Sequence, residues 1–225
     1  MQISSTVYTL LFCLIGLNAQ SQAIKKNKQV EKMQLVWSDE FNYTGLPDPT
    51  KWNYDVGGWG WGNNELQYYT KDSLGNASVN NGLLTIVLKH QTIEDRKYSS
   101  ARLVTKGKGD WVYGRIDVRA KLPKGLGTWP AIWMLGSTTP LKWPDDGEID
   151  IMEHVGFNPG FIHATTHTKS FNHMIGNQKT DTIIVKDFDT QFHDYSVVWN
   201  KDSVTILFDN IAYYTFKNNG TGKDA

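Results

Sequence analysis

The chain has 225 residues, a formal net charge of zero, and nine Trp, ten Tyr and nine Phe. Neutrality supplies no basic excess, so neither nucleic acid nor a membrane surface is an expected partner. The length suits one domain with a sizeable core, and the aromatic residues serve either that core or stacking against the apolar faces of sugar rings.

Residues 1–23 read as a secretory signal peptide: residues 7–17 are mostly apolar, and Ser21-Gln22-Ala23 is a small-x-small cleavage site. The segment opens without Lys or Arg, a departure from the usual pattern. Its apolar run is too short to span a bilayer, so the expected mature protein is secreted, extracellular or periplasmic. The single cysteine, Cys13, lies inside this segment, and Phe12 before it does not suit a lipoprotein cleavage site. The mature chain is therefore expected to use no disulfide, thiol or cysteine-metal chemistry. Residues 24–34 form a polar, basic leader, and the domain runs over 35–225.

Residues 42–50 are a loop carrying Gly45, Pro47 and Pro49. In Gly57-Gly58-Trp59-Gly60-Trp61-Gly62-Asn63-Asn64-Glu65, the glycines let backbone approach a ligand closely. Trp59 and Trp61 could stack on sugar, and Asn63, Asn64, Glu65 and Gln67 could bind hydroxyls; the plainer alternative is a packed surface loop. Strands at 77–80 and 83–89 flank Asn81-Gly82, a hairpin signal, and Leu83-Leu84-Thr85-Ile86-Val87-Leu88 reads as a buried run. Further strands are expected at 101–106 and 111–121, the latter with Tyr113, Arg115, Asp117 and Arg119 on one face. Residues 129–135 follow, with Trp129 and Trp133 four apart, a spacing that fits either a helical or a strand face.

The acidic stretch Glu148-Ile149-Asp150-Ile151-Met152-Glu153-His154 reads as a strand. Period-two alternation points Glu148 and Asp150 one way and Ile149 and Ile151 into a core. Glu153 breaks the alternation unless a β-bulge near Met152 returns it to the face of Glu148. The two glutamates then lie roughly 13 Å apart at Cα, at ~3.3 Å per step, and their carboxyl groups can close to the ~5–5.5 Å of a retaining glycosidase. A merely solvated face is the alternative, but three acids without interleaved cations repel one another. Such crowding drives carboxylate pKa values apart. His154 should face away from Glu153 and be structural.

Strands are then expected at 161–168, 180–185, 193–199, 203–208 and 211–216. His163 and His167 share a strand face, yet no third metal ligand is evident nearby, so no metal is assigned. His167 is read as a substrate contact, with a satisfied core histidine left open. No convincing amphipathic helix appears, and many short strands with regular turn signals argue for an all-β sandwich or barrel.

The sequence resembles glycoside hydrolase family 16. The likeness rests on Glu148-Ile149-Asp150-Ile151-Met152-Glu153, Trp37-Ser38-Asp39-Glu40-Phe41, Gly62-Asn63-Asn64-Glu65-Leu66-Gln67-Tyr68-Tyr69-Thr70, Tyr113-Gly114-Arg115-Ile116-Asp117-Val118-Arg119-Ala120, Gly127-Thr128-Trp129-Pro130-Ala131-Ile132-Trp133 and His163-Ala164-Thr165-Thr166-His167. The resemblance implies a concanavalin A-like jelly-roll β-sandwich of two antiparallel sheets. It implies a laminarinase-like retaining endo-glycosidase acting on β-1,3-glucan or mixed β-1,3/1,4-glucan, expected to be a monomer without cofactor. Glu148 would be the nucleophile, Glu153 the general acid/base, and Asp150 the group tuning the nucleophile. Trp129 and Trp133 would floor the cleft, with Asn64, Glu65, Arg102, Arg115 and His167 as polar contacts. A structural calcium is implied only in part, and no residue here is assigned to it. Family chains continue beyond the equivalent of Phe216, so a domain without its last strands is expected. The same fold acting on agarose, carrageenan or lichenan, a non-catalytic glucan-binding module, and an inactive truncated product are the other readings.

Overall fold

Alternating apolar residues in short runs build strands almost throughout. The computed structural model describes residues 33–220; the expected signal segment, nearly all of the expected leader and residues 221–225 lie outside the described residues. In chain order the strands are β1 (Asn53–Asp55), β2 (Gln67–Tyr69), β3 (Ala77–Asn80), β4 (Leu83–Ile86), β5 (Lys89–Ile93), β6 (Arg96–Ser100), β7 (Arg102–Val104), β8 (Gly114–Ala120), β9 (Ala131–Leu135), β10 (Glu148–His154), β11 (Phe161–His167), β12 (Lys179–Ile184), β13 (His193–Asn200), β14 (Ser203–Phe208) and β15 (Ile211–Lys217). The sole helical element among the described residues is a 3₁₀ turn at His173–Ile175.

Two four-stranded antiparallel sheets, ordered β12-β11-β10-β9 and β15-β14-β13-β8, form the sandwich. Their inner faces meet in one core. Ile151, Met152, Ile162 and Ala164 from the first sheet pack with Tyr195, Val197, Val204, Ile206 and Tyr214 from the second. Burying each large side chain contributes roughly 1.5–3 kcal/mol. The Tyr214 hydroxyl ties the layers together, 3.0 Å from Thr166 Oγ1 and 2.9 Å from the Lys179 carbonyl.

The expected pair of sheets is supplemented by three smaller ones, β1-β7, β2-β6-β5 and β3-β4, and β2 runs parallel to β6. Strands β1, β2, β5 and β6 lie in segments too polar or too glycine-rich to announce themselves. The run 83–88 was expected to be buried and is not: Leu83, Ile86 and Leu88 are 44%, 50% and 45% exposed. Strand β4 pairs with β3 alone, so among the described residues no neighbouring strand covers it. The sandwich leaves the outward face of β9–β12 available, and the acidic residues stand there.

Candidate active site

Three acids reach one face because β10 carries the bulge. Glu148 lies opposite His167, Asp150 opposite Thr165 and Glu153 opposite His163, with the register shifting between Asp150 and Glu153. On the other side Glu148 faces Leu135, Asp150 faces Trp133 and Glu153 faces Ala131. Ile151 and Met152 both turn into the core at 1% exposure. Two consecutive apolar residues thus point inward, which puts Glu153 back beside the other two acids. His154 is fully buried; its Nε2 accepts the Gly160 N–H at 3.1 Å and its ring lies 4.4 Å from Phe188. That is a structural role.

Each glutamate has its own indole donor. Trp143 Nε1–H donates to Glu148 Oε2 at 2.6 Å, and Trp129 Nε1–H donates to Glu153 Oε1 at 3.0 Å. Burial raises the pKa of Glu148, and the charge of Asp150 raises it further, while Trp143 opposes both. Burial, then the charge of Glu153, raises Asp150. Burial likewise raises Glu153, opposed by the Trp129 donor, with the Glu148 charge adding to the rise. Three such carboxyls do not all ionise at once near neutral pH. The Trp143 donor favours the ionised form of Glu148, so a proton between Glu148 and Asp150 rests better on Asp150, at 3% exposure.

His167 lies with Nε2 3.4 Å from Asp150 Oδ2. Burial lowers its pKa against the pull of Glu148 and Glu153. Asp150 Oδ2 and His167 Nδ1 are buried without a hydrogen-bond partner. Unsatisfied buried polar atoms are costly and concentrate at functional sites. Among the described residues, no group of three or more His, Cys, Asp or Glu could hold a metal ion.

Trp133 stands beside Asp150 across the β9–β10 pair. The Arg102 guanidinium lies 4.6 Å from the rings of both Trp133 and Trp61, and its Nε pairs with Asp55 at 2.9 Å. Glu65 accepts from Gln67 and, at 2.8 Å, from the Tyr69 hydroxyl; Tyr69 in turn lies 5.6 Å from Trp61. Glu65 therefore braces the platform. Asn64 is an exposed turn residue with φ of 56°, a conformation asparagine tolerates. Arg115, expected at the substrate, stands apart from the acids. It lies on β8 in the other sheet, on the side opposite core-packed Ile116, and pairs with Asp117 at 2.8 Å and with Asn210.

Sequence reasoning missed Trp143 and His173. Trp143 packs against both histidines, 5.8 Å from His167 and 4.7 Å from His173 by ring centroids, and the two imidazoles lie 5.2 Å apart. Its position, five residues before Glu148 in a proline-containing loop, was the one available signal.

Comparison with known proteins agrees with this geometry. The family model described as "Glycosyl hydrolases family 16" matches residues 64–224. A beta-glucanase from Rhodothermus marinus is 51% identical over 212 residues, spanning 93% of this chain and 73% of that protein. A glucan endo-1,3-beta-glucosidase from Cryptopygus antarcticus is 38% identical over 190 residues, 80% of this chain and 68% of its own. The X-ray structure of the laminarinase from Rhodothermus marinus superimposes with a TM-score of 0.81 at 53% identity, covering 83% of this chain and 76% of that one. The chain belongs to glycosyl hydrolases family 16.

Proposed function

We propose that this protein is a retaining endo-β-1,3-glucanase. The observation carrying the reading is the bulge in β10, which brings Glu148 and Glu153 to one face, each with its own tryptophan donor. Ionised Glu148 attacks the anomeric carbon as the bond to the leaving oxygen breaks, and Glu153 gives that oxygen its proton. A water molecule then attacks the same carbon, Glu153 takes its proton, and Glu148 is released. Asp150 stores a proton against Glu148 and moderates the nucleophile's charge. Burial raises the pKa of Glu153 against the Trp129 donor, and the Glu148 charge adds to the rise, the direction a general acid requires. The names of the relatives support a β-1,3-glucan, and an open sheet face flanked by exposed Trp129 suits a polymer cut internally.

Wild-type protein should release reducing ends from β-1,3-glucan, with the β-anomer appearing first by proton NMR. Glu148→Gln should abolish that release. Full turnover by Glu148→Gln, or initial release of the α-anomer, would sink the assignment. Preferential turnover of agarose, carrageenan or lichenan would move the substrate within the same fold. A polymer outside the cell suits a secreted monomer, tested by the enzyme's compartment and by size-exclusion mass.

A further inference from the structure

A row of flat groups leads away from the acids. Trp133 neighbours Asp150, Arg102 lies 4.6 Å from Trp133, Trp61 lies 4.6 Å from Arg102, and Trp59 lies 4.6 Å from Trp61 at an interplanar angle of 40°. Exposure rises outward: the Arg102 side chain is 17% exposed and Trp59 is 66% exposed. A lone exposed tryptophan on a surface needs no explanation. This one continues a platform that begins beside the acids.

The loop bearing Trp59 is held firmly. Gly57 and Tyr69 exchange backbone hydrogen bonds of 3.0 and 3.1 Å, and Trp61 Nε1–H donates to the Gly57 carbonyl at 3.1 Å. The Gly60 carbonyl accepts from the N–H groups of Asn63 and Glu65. A Cβ on Gly58 would meet Arg96 Cγ at 2.7 Å, so the loop packs closely on β6. An apolar ring displayed on an already ordered loop loses little freedom when a ligand covers it. The cation in the row is neutralised, because Arg102 is paired with Asp55. The row thus offers flat apolar faces and no free cation for a sulfated or acidic sugar.

We propose that Trp59 is the outer subsite of the cleft, stacking on a neutral β-linked glucosyl ring remote from the cleaved bond and holding long chains in preference to short ones. This deepens the proposed function and rests on it. The readout is the ratio of KM for a short β-1,3-linked oligosaccharide to KM for long-chain β-1,3-glucan. Trp59→Ala and Trp59→Leu should each lower that ratio by about five- to thirtyfold, chiefly through a higher KM for the polymer, and Trp59→Phe should restore most of it. A ratio unchanged in both Trp59→Ala and Trp59→Leu, including by equal losses on the two substrates, overturns the subsite while leaving the glucanase reading intact. Wild-type protein that hydrolyses neither substrate overturns the glucanase reading and the glucan subsite together.

Discussion

Trp143→Phe separates charge stabilisation of the nucleophile from packing around it. The indole N–H donates to Glu148 at 2.6 Å, whereas the ring packs on His167 and His173. Phenylalanine keeps an aromatic ring and removes the donor. A hydrogen bond to a charged group contributes about 1.5–3 kcal/mol, which corresponds to about one to two pKa units. The donor stabilises the ionised carboxylate, so its loss raises the pKa of Glu148. The nucleophile must be ionised, and activity is therefore lost from the acidic side. The acid limb of kcat/KM, which reports the free enzyme, should move up by about one to two pH units. The measurement is initial-rate hydrolysis of β-1,3-glucan across the pH range for both proteins, with near-ultraviolet circular dichroism verifying the fold. An acid limb that stays within a few tenths of a unit while the overall rate falls would refute the electrostatic role and leave Trp143 as packing.

Glu148→Gln should make the protein more heat-stable in a pH-dependent way. A carboxyl whose pKa is raised on folding contributes stability that is complete below its unfolded value and is lost as pH rises through the folded value. Glutamine does not titrate, so its melting-temperature advantage should open between about pH 4 and pH 8 and reach roughly 3–10 °C for a domain of this size; a constant gap would contradict the raised pKa. Deleting Met152 should remove the bulge and leave Glu153 on the face of Glu148 by strict alternation, since Ile151 alone then points inward between Asp150 and Glu153. Hydrolysis of β-1,3-glucan should therefore persist, with a lower melting temperature because the buried Met152 side chain is lost; loss of turnover in a variant that keeps its near-ultraviolet circular dichroism would show that the bulge does more than return Glu153 to that face.

The acidic strand was legible because its signal is local. Alternation alone assigned Glu148 and Asp150 to one face, and the surplus residue before Glu153 forced the bulge that the register displays. Arg115 shows where the same logic stops. Period two tells which side chains share a face with it, but nothing in residues 113–120 says which sheet that strand joins. Pairing of β8 with β13 decides that, through contacts far apart in sequence. The run 83–88 fails for a related reason: its apolar residues fit a covered strand, yet burial depends on what lies beside β4, and there only β3 pairs with it.

Placement and charge state of the acids therefore have different origins. All three carboxylates ride on one strand, so their spacing follows from β10 and its single irregularity. Their protonation follows from burial and from one another's charge, and is adjusted by partners from outside that strand: Trp143 and Trp129 from preceding loops, and His167 from β11. Loops can change the two tryptophan donors without disturbing the sandwich core, since neither belongs to the cluster around Ile151 and Met152. A fold of this kind can keep the glutamates fixed while shifting the pH at which they work, which makes the Trp143 donor, rather than the acids themselves, the more adjustable part of the site.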